Sequence, residues 1–293
     1  MNKILLSLLI VSQTLVAQKT NSNHKQVDST CNSKIVYASS AIGIGYVGSL
    51  ITLQNVWYKE NYQEQFHFFN DGNNWLQMDK FGHGYTSYQL ARGFSELYEW
   101  TGVSNKNATI IGSSISLSYL TCLEIMDGYS KDWGFSTWDI TANIGGTALY
   151  IGQDLLFSKQ IFIPKFSFHK TKYASLRPEV LGSNFGEQLL KDYNGQTYWI
   201  SFSPGNLGAT HFPKWLCLSL GYSADAKIIG NSDYYLNYKA KREFLLSLDL
   251  DLSEIKVKNT FLKRILKQIN LVKVPFPAFY FSNNKLGFKP IYF

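Results

Sequence analysis

Asp79-Lys80-Phe81-Gly82-His83 opens one largely apolar stretch of this chain. Glu124-Ile125-Met126-Asp127-Gly128 closes the next, and Asp139-Ile140-Thr141-Ala142-Asn143-Ile144-Gly145-Gly146 opens a third. Ionisable and amide side chains recur in these stretches at i, i+3 and i+4, the spacings that share one face of an α-helix. Asp79 with His83, Glu124 with Asp127, and Asp139 with Asn143 therefore each point one way. A charge on a helix this apolar is costly unless it meets a partner. The three pairs are expected to meet in one polar centre built from Asp79, Lys80, His83, Glu124, Asp127, Asp139 and Asn143.

Reading outward from these stretches gives four helices. The first runs from Ser33 as cap through Ile35 to about Tyr58, with Tyr37, Ile42, Val47, Leu50 and Ile51 near helical period. It is nearly uncharged before Lys59 and long enough to span a bilayer, yet its Gly, Ser, Asn and Gln content suits burial among other helices equally well. The second begins near Asp79, which complements the helix dipole, and stops at Gly102. Asn107 is expected to cap the third, which Asp127-Gly128 should break. Ser136 is a good N-cap for the fourth, from Thr137 to about Phe157, where Ala142, Gly145, Gly146, Ala148 and Gly152 form a small-residue stripe for close helix contact.

After Pro164 the character changes. Short β-type runs, Tyr198 to Phe202, Leu216 to Tyr222, Phe244 to Leu252 and Ala278 to Phe281, are separated by turn residues such as Pro204-Gly205-Asn206 and Ser282-Asn283-Asn284. Ser247-Leu248-Asp249-Leu250 alternates as a half-buried strand does. Asn259-Thr260 precedes a short basic helix ending near Asn270. The reading is an α+β protein: a bundle of about four helices over residues 33–158, partly membrane-like, then an antiparallel β-rich module over 159–293.

Residues 1–18 read as a signal peptide: Lys3, then the apolar run Ile4 to Val11, then Val16-Ala17-Gln18. Residues 19–32 are polar, aperiodic and expected to be a disordered leader. Cys31 does not follow the apolar run directly, so no lipid anchor is expected. The chain should be exported, to the periplasm or in association with the outer membrane. Three cysteines make no disulfide framework, and Cys122 and Cys217 are expected to pack as small hydrophobes. The net charge of +7 is scattered except at Lys239 to Arg242 and Lys256 to Lys267, and export argues against nucleic acid. Those charges make a solvated face or attract anionic lipid headgroups.

The polar centre carries the candidate chemistry. His83, Glu124 and Asp139 are the candidate acid–base residues, and Asp79, His83, Glu124 and Asp127 could supply a mixed N/O shell to a divalent metal. The bland alternative is a buried ion-pair and hydrogen-bond network. His67, His169 and His211 are isolated. No Gly-x-Ser-x-Gly elbow surrounds the run Ser113, Ser114, Ser116, Ser118, and Gly43-x-Gly45-x-x-Gly48 lies inside a helix without a βαβ context. The terminal alternation ending in Phe293 is like the last strand of outer-membrane barrels, but the strands are too few and short for an independent one.

Asp-Lys-x-x-His, Glu-x-x-Asp-Gly and Phe-Ser-x-x-Asp-x-x-x-Asn-x-x-Gly, here Asp79 to His83, Glu124 to Gly128 and Phe135 to Gly146, resemble the YfiM-type predicted periplasmic lipoproteins, a family of unknown function. The first and last elements are more distantly similar to VanZ-like membrane proteins. The resemblance covers roughly residues 75–157 and implies a helical fold in the cell envelope without an assigned activity. The expected role is a structural, lipid-binding or partner-binding envelope component. The competing expectation is a hydrolase, metal-assisted, acting on an envelope lipid or phosphate ester.

Overall fold

The computed structural model describes residues 29–59 and 61–293. The expected signal peptide and most of the leader lie outside them. Helix α1 (Ser29–Leu53) starts four residues ahead of Ser33 and continues into a π-helical turn, Gln54–Tyr58. Tyr46 Oη reaches Cys122 Sγ at 3.2 Å, and Ser39 Oγ meets Tyr98 Oη at 2.9 Å. By length and composition, two stretches among the described residues could cross a membrane, Ser33–Leu53 and Asn105–Gly128; the first is only 11% buried. Its apolar side is thus largely uncovered.

Helices α2 (Met78–Trp100), α3 (Asn105–Gly128) and α4 (Thr137–Phe157) pack against one another. Ser136 caps α4, its side chain accepting from Asp139 N, and Gly102 ends the turn after α2 with φ +96°. Two details differ from the sequence reading. Ser104, not Asn107, precedes α3, and Asp127-Gly128 forms its last turn instead of breaking it. A Cβ on Gly146 would run into the Gly84 carbonyl oxygen and Ser87 Oγ, so Gly146 lets α4 lie against α2, whereas Gly145 and Gly152 of the expected small-residue stripe have nothing within 4 Å. Ser116 of α3 donates to Ser87 O at 2.9 Å, closing the third side.

The C-terminal part forms one antiparallel meander of six strands: β1 (Phe162–Phe168), β2 (Gln196–Phe202), β3 (Leu216–Asp225), β4 (Lys241–Leu250), β5 (Phe276–Ser282) and β6 (Lys285–Tyr292). The fold is α+β. Between β1 and β2 lies α5 (Phe185–Lys191), and between β4 and β5 lies α6 (Thr260–Ile269), capped by Asn259. Asn283 and Asn284, at φ +49° and +60°, make the tight β5–β6 turn, a conformation Asn tolerates better than most residues.

The sheet rolls up. Flat, β2 and β6 would stand roughly 19 Å apart at about 4.8 Å per strand, yet Thr197 Oγ1 meets Tyr292 Oη at 2.9 Å. Lys165 of β1 likewise reaches Asp249 of β4 at 2.8 Å, with neither side chain exposed. The free edge of β1 is paired too, through Phe166 N to Leu271 O at 3.0 Å and Lys273 N to Phe166 O at 2.9 Å.

The inside of this roll is largely polar, beside a small apolar cluster of Trp199, Leu245, Ala278 and Tyr292, and its outside is apolar. Ser201, Ser219, Ser247 and Asp249 are buried inward, while Phe244, Leu246 and Leu248 face out. Over β1 to β3 part of the outer face is covered by α2: Phe81 stacks on Tyr222 with centroids 4.6 Å apart, and Tyr85 packs on Phe166 at 5.8 Å, while Leu220 stays exposed. The helical and β-rich parts therefore share one aromatic contact layer.

Candidate functional site

The polar centre sits where the first turns of α2 and α4 meet the last turn of α3. Dipole and capping explain the placement: Asp79 and Asp139 lie in N-terminal turns, where a carboxylate is favoured. Lys80 is the hub. Its ammonium is 2.5 Å from Asp71 Oδ2, 2.8 Å from Asp79 Oδ2 and 2.6 Å from Asp139 Oδ1. His83 lies beside it, with Nε2 3.8 Å from Asp79 Oδ1 and 3.7 Å from Asp139 Oδ1. On its other side Nδ1 is 3.2 Å from Asn143 Oδ1 and 3.7 Å from Glu124 Oε1.

Six of the seven residues singled out in the sequence thus contact one another. Asp127 stands at the margin, its Oδ1 accepting from Tyr58 Oη at 2.7 Å. Two further members, Asp71 and Tyr193, carry no such spacing in the sequence. Asp71 bridges Lys80 and Ser136, whose Oγ donates to Asp71 Oδ1 at 2.6 Å. Tyr193, just after α5, donates to Asp79 Oδ1 at 2.9 Å. In the sequence Asp71, between Asn70 and Gly72, carries only a turn signal. It is delivered because the preceding segment pairs with the α3–α4 loop, through His67 N to Gly128 O and Phe69 N to Phe135 O. Pairing between two irregular loops leaves no periodic signal.

The turn leading into α2 is strained. Trp75, Leu76 and Gln77 all have positive φ, 51°, 52° and 64°, at a cost of roughly 1–2 kcal/mol each. Trp75 N bonds Gly230 O at 2.8 Å, Gln77 Oε1 accepts from Arg242 at 2.8 Å, and Tyr222 donates to Leu76 O. Contacts with the sheet thus hold the backbone that presents Asp79 and Lys80.

Electrostatics sort the acids. Burial pushes Glu124 up to about 9, helped by Asp139 and Asp127, so it is a neutral acid at pH 7. That explains how Glu124, 1% exposed, tolerates an Oε1 without a hydrogen-bond partner among the described residues. Burial also raises Asp127 and Asp139 to about 6, with Asp79 adding to the rise at Asp139. Burial opposes ionisation of Asp79 as well, but His83 and Lys80 outweigh it and hold the carboxyl below its ordinary value. Lys80 loses by burial and gains more from Asp79 and Asp139, so its ammonium is held charged.

Among the described residues, Asp79, His83 and Asp139 form a group whose ligand atoms lie within 4.8 Å of one another. Glu124 and Asp127, the other metal candidates, are outside it. The fit to a divalent ion is poor. Asp139 Oδ1 already contacts the Lys80 ammonium at 2.6 Å, and a second cation about 4 Å away would be repelled by roughly 4 kcal/mol per unit of charge at an effective dielectric of about 20. Lys80 occupies the electrostatic role that a metal would fill.

A second buried ionic cluster lies inside the rolled sheet. Asp249 Oδ2 takes Lys165 at 2.8 Å and Ser201 Oγ at 2.8 Å, and its Oδ1 takes Val274 N at 3.0 Å. Lys273 sits 4.6 Å over the Trp199 ring. The signal for it was the Ser247-x-Asp249 alternation, whose polar residues face inward.

Against known proteins, a family model described as predicted periplasmic lipoprotein (DUF2279) matches residues 66–152, a span that contains Asp71 and all seven residues named from the sequence. No curated protein and no solved structure matches the chain.

Proposed function

We propose that this is an exported cell-envelope protein with a non-enzymatic, structural role, and that its polar centre is a clamp. The exported reading draws on the description of the family whose model matches residues 66–152. One observation carries the clamp reading: a single ammonium, Lys80, holds carboxylates from three segments at 2.5, 2.8 and 2.6 Å. Asp79 adds the link to Tyr193 in the C-terminal part. Such a hub fixes α2, α4, the 61–72 segment and the sheet in one arrangement, and its cation is covalently supplied.

The competing reading, a metal-assisted hydrolase of an envelope lipid or phosphate ester, rests on the proximity of Asp79, His83 and Asp139. Asp139→Asn separates the two. The clamp reading expects a lower melting temperature and no stoichiometric metal in the wild-type protein by elemental analysis. Stoichiometric metal in the wild type, lost in Asp139→Asn at unchanged melting temperature, would overturn the clamp reading in favour of a metal site.

A further inference from the structure

The outer face of the rolled sheet is continuous, but among the described residues only part of it, over β1 to β3, is covered. Over β1 to β3, α2 lays Phe81 and Tyr85 on it. Over β4 to β6 the same face carries Phe244, Leu246, Phe279, Phe281, Leu286 and Phe288, all exposed; Leu286 and Phe288 are 74% and 53% accessible. Aromatic packing runs across it, with the Phe279 and Phe288 centroids 5.1 Å apart. A soluble sheet buries its apolar face and wets its polar one. Here Glu243, Ser247 and Asp249 are buried on one face of β4 together with Leu245, while Phe244, Leu246 and Leu248 on the other face point out.

Helix α6 adds a second, separate observation. Phe261, Leu262, Ile265 and Ile269 fall within one face of it by helical spacing, and all four are exposed, Phe261 to 70%. The remaining positions include Lys263 and Arg264, and Lys267, which pairs with Glu96 at 3.1 Å, with Lys256 and Lys258 just before the helix and no acidic residue within it. Arg92 holds the C-terminal end of α6 through Lys267 O, and Gln268 bonds Glu96 at 2.7 Å. The helix is therefore moored to α2 with its apolar side left open.

We infer that the bare β4–β6 face and α6 form a docking surface for an anionic lipid bilayer, with the aromatic and aliphatic side chains entering the interfacial region and the lysines and arginine meeting lipid phosphates. Aromatic side chains and basic amphipathic helices both favour that boundary. The charge pattern selects lipid over a second copy of the chain: a two-fold pairing through this surface would bring like-charged α6 helices together. The inference rests on the envelope reading only for the bilayer it names. Its test residues lie outside the polar centre, so its failure is distinguishable from failure of the clamp.

The test is flotation of the full chain with vesicles of phosphatidylglycerol and phosphatidylethanolamine, beside vesicles of phosphatidylcholine alone. Wild type should float with the anionic vesicles. Phe279→Ser with Phe288→Ser should weaken that partitioning about tenfold or more while leaving the thermal melt near wild type, since both side chains are exposed. Lys263→Glu with Arg264→Glu should abolish the preference for anionic over neutral vesicles, as should raised salt. Failure of the wild type to float, flotation of both variants equal to wild type, or a concentration-dependent dimer that Phe279→Ser with Phe288→Ser dissociates would overturn the proposal.

Discussion

Lys80 Nζ lies 2.6 Å from Asp139 Oδ1, an ion pair that joins the first turn of α2 to the first turn of α4. Asp79 and Asp71 bind the same ammonium, so one side chain sets the mutual position of two helices and a loop. Buried pairs of this kind contribute little net stability against an apolar replacement of both partners, but removing one partner is strongly destabilising.

The acids of the centre make stability depend on pH. Glu124 is raised to about 9, and Asp127 and Asp139 to about 6, by burial first. The folded protein then holds protons more tightly than the unfolded chain, whose carboxyls titrate near 4, so stability falls as pH rises from about 4 toward 9. Asp79 has the opposite sign: its lowered value costs stability only as pH falls below about 4. Glu124→Gln should flatten the decline between pH 6 and 8 in thermal melts. That window lies below the range in which Lys273, lowered to about 8 by burial, adds a rise. An unchanged slope in Glu124→Gln would contradict the assignment of a neutral Glu124.

Gly146 and Gly145 are adjacent and should respond differently. A methyl group at Gly146 meets the Gly84 carbonyl and Ser87 Oγ, whereas one at Gly145 meets nothing within 4 Å. Gly146→Ala should cost about 1–3 kcal/mol by overpacking the α2–α4 contact. Gly145→Ala should be neutral or stabilising by up to about 1 kcal/mol. Urea denaturation of the pair checks both, and equal effects would show that the contact is not tight.

How much of this was legible in the residues differs between the two halves. The four helices, the Ser136 cap and the coincidence of Asp79, Lys80, His83, Glu124, Asp139 and Asn143 follow from i, i+3 and i+4 spacing, because helical geometry fixes what shares a face. Asp71 and Tyr193 did not, since they arrive from loops. Strand β1 leaves no strand signature because Pro164 and Lys165 interrupt its apolar run; Lys165 is tolerated there by pairing with Asp249 inside the roll. The alternation in β4 gave its period correctly but not its sense. Period two says which residues share a face, and only tertiary packing decides which face is inside.

The interior pair Lys165–Asp249, with neither side chain exposed, offers a separate check on that inverted sense. Asp249→Ala strands a buried ammonium and should cost about 3–5 kcal/mol. Combining it with Lys165→Met removes the uncompensated charge and should recover much of the loss, which a double-mutant cycle measures. A small effect of Asp249→Ala alone would mean that these groups face solvent.

The most direct test of the clamp is the unfolding free energy of Lys80→Met at pH 7, from chemical denaturation with the full chain. Methionine keeps most of the length of the side chain and removes the charge, leaving Asp71, Asp79 and Asp139 facing one another. A loss of about 3–5 kcal/mol relative to wild type is the expected result. Stability unchanged within about 0.5 kcal/mol would contradict the account, because Lys80 would then hold nothing together.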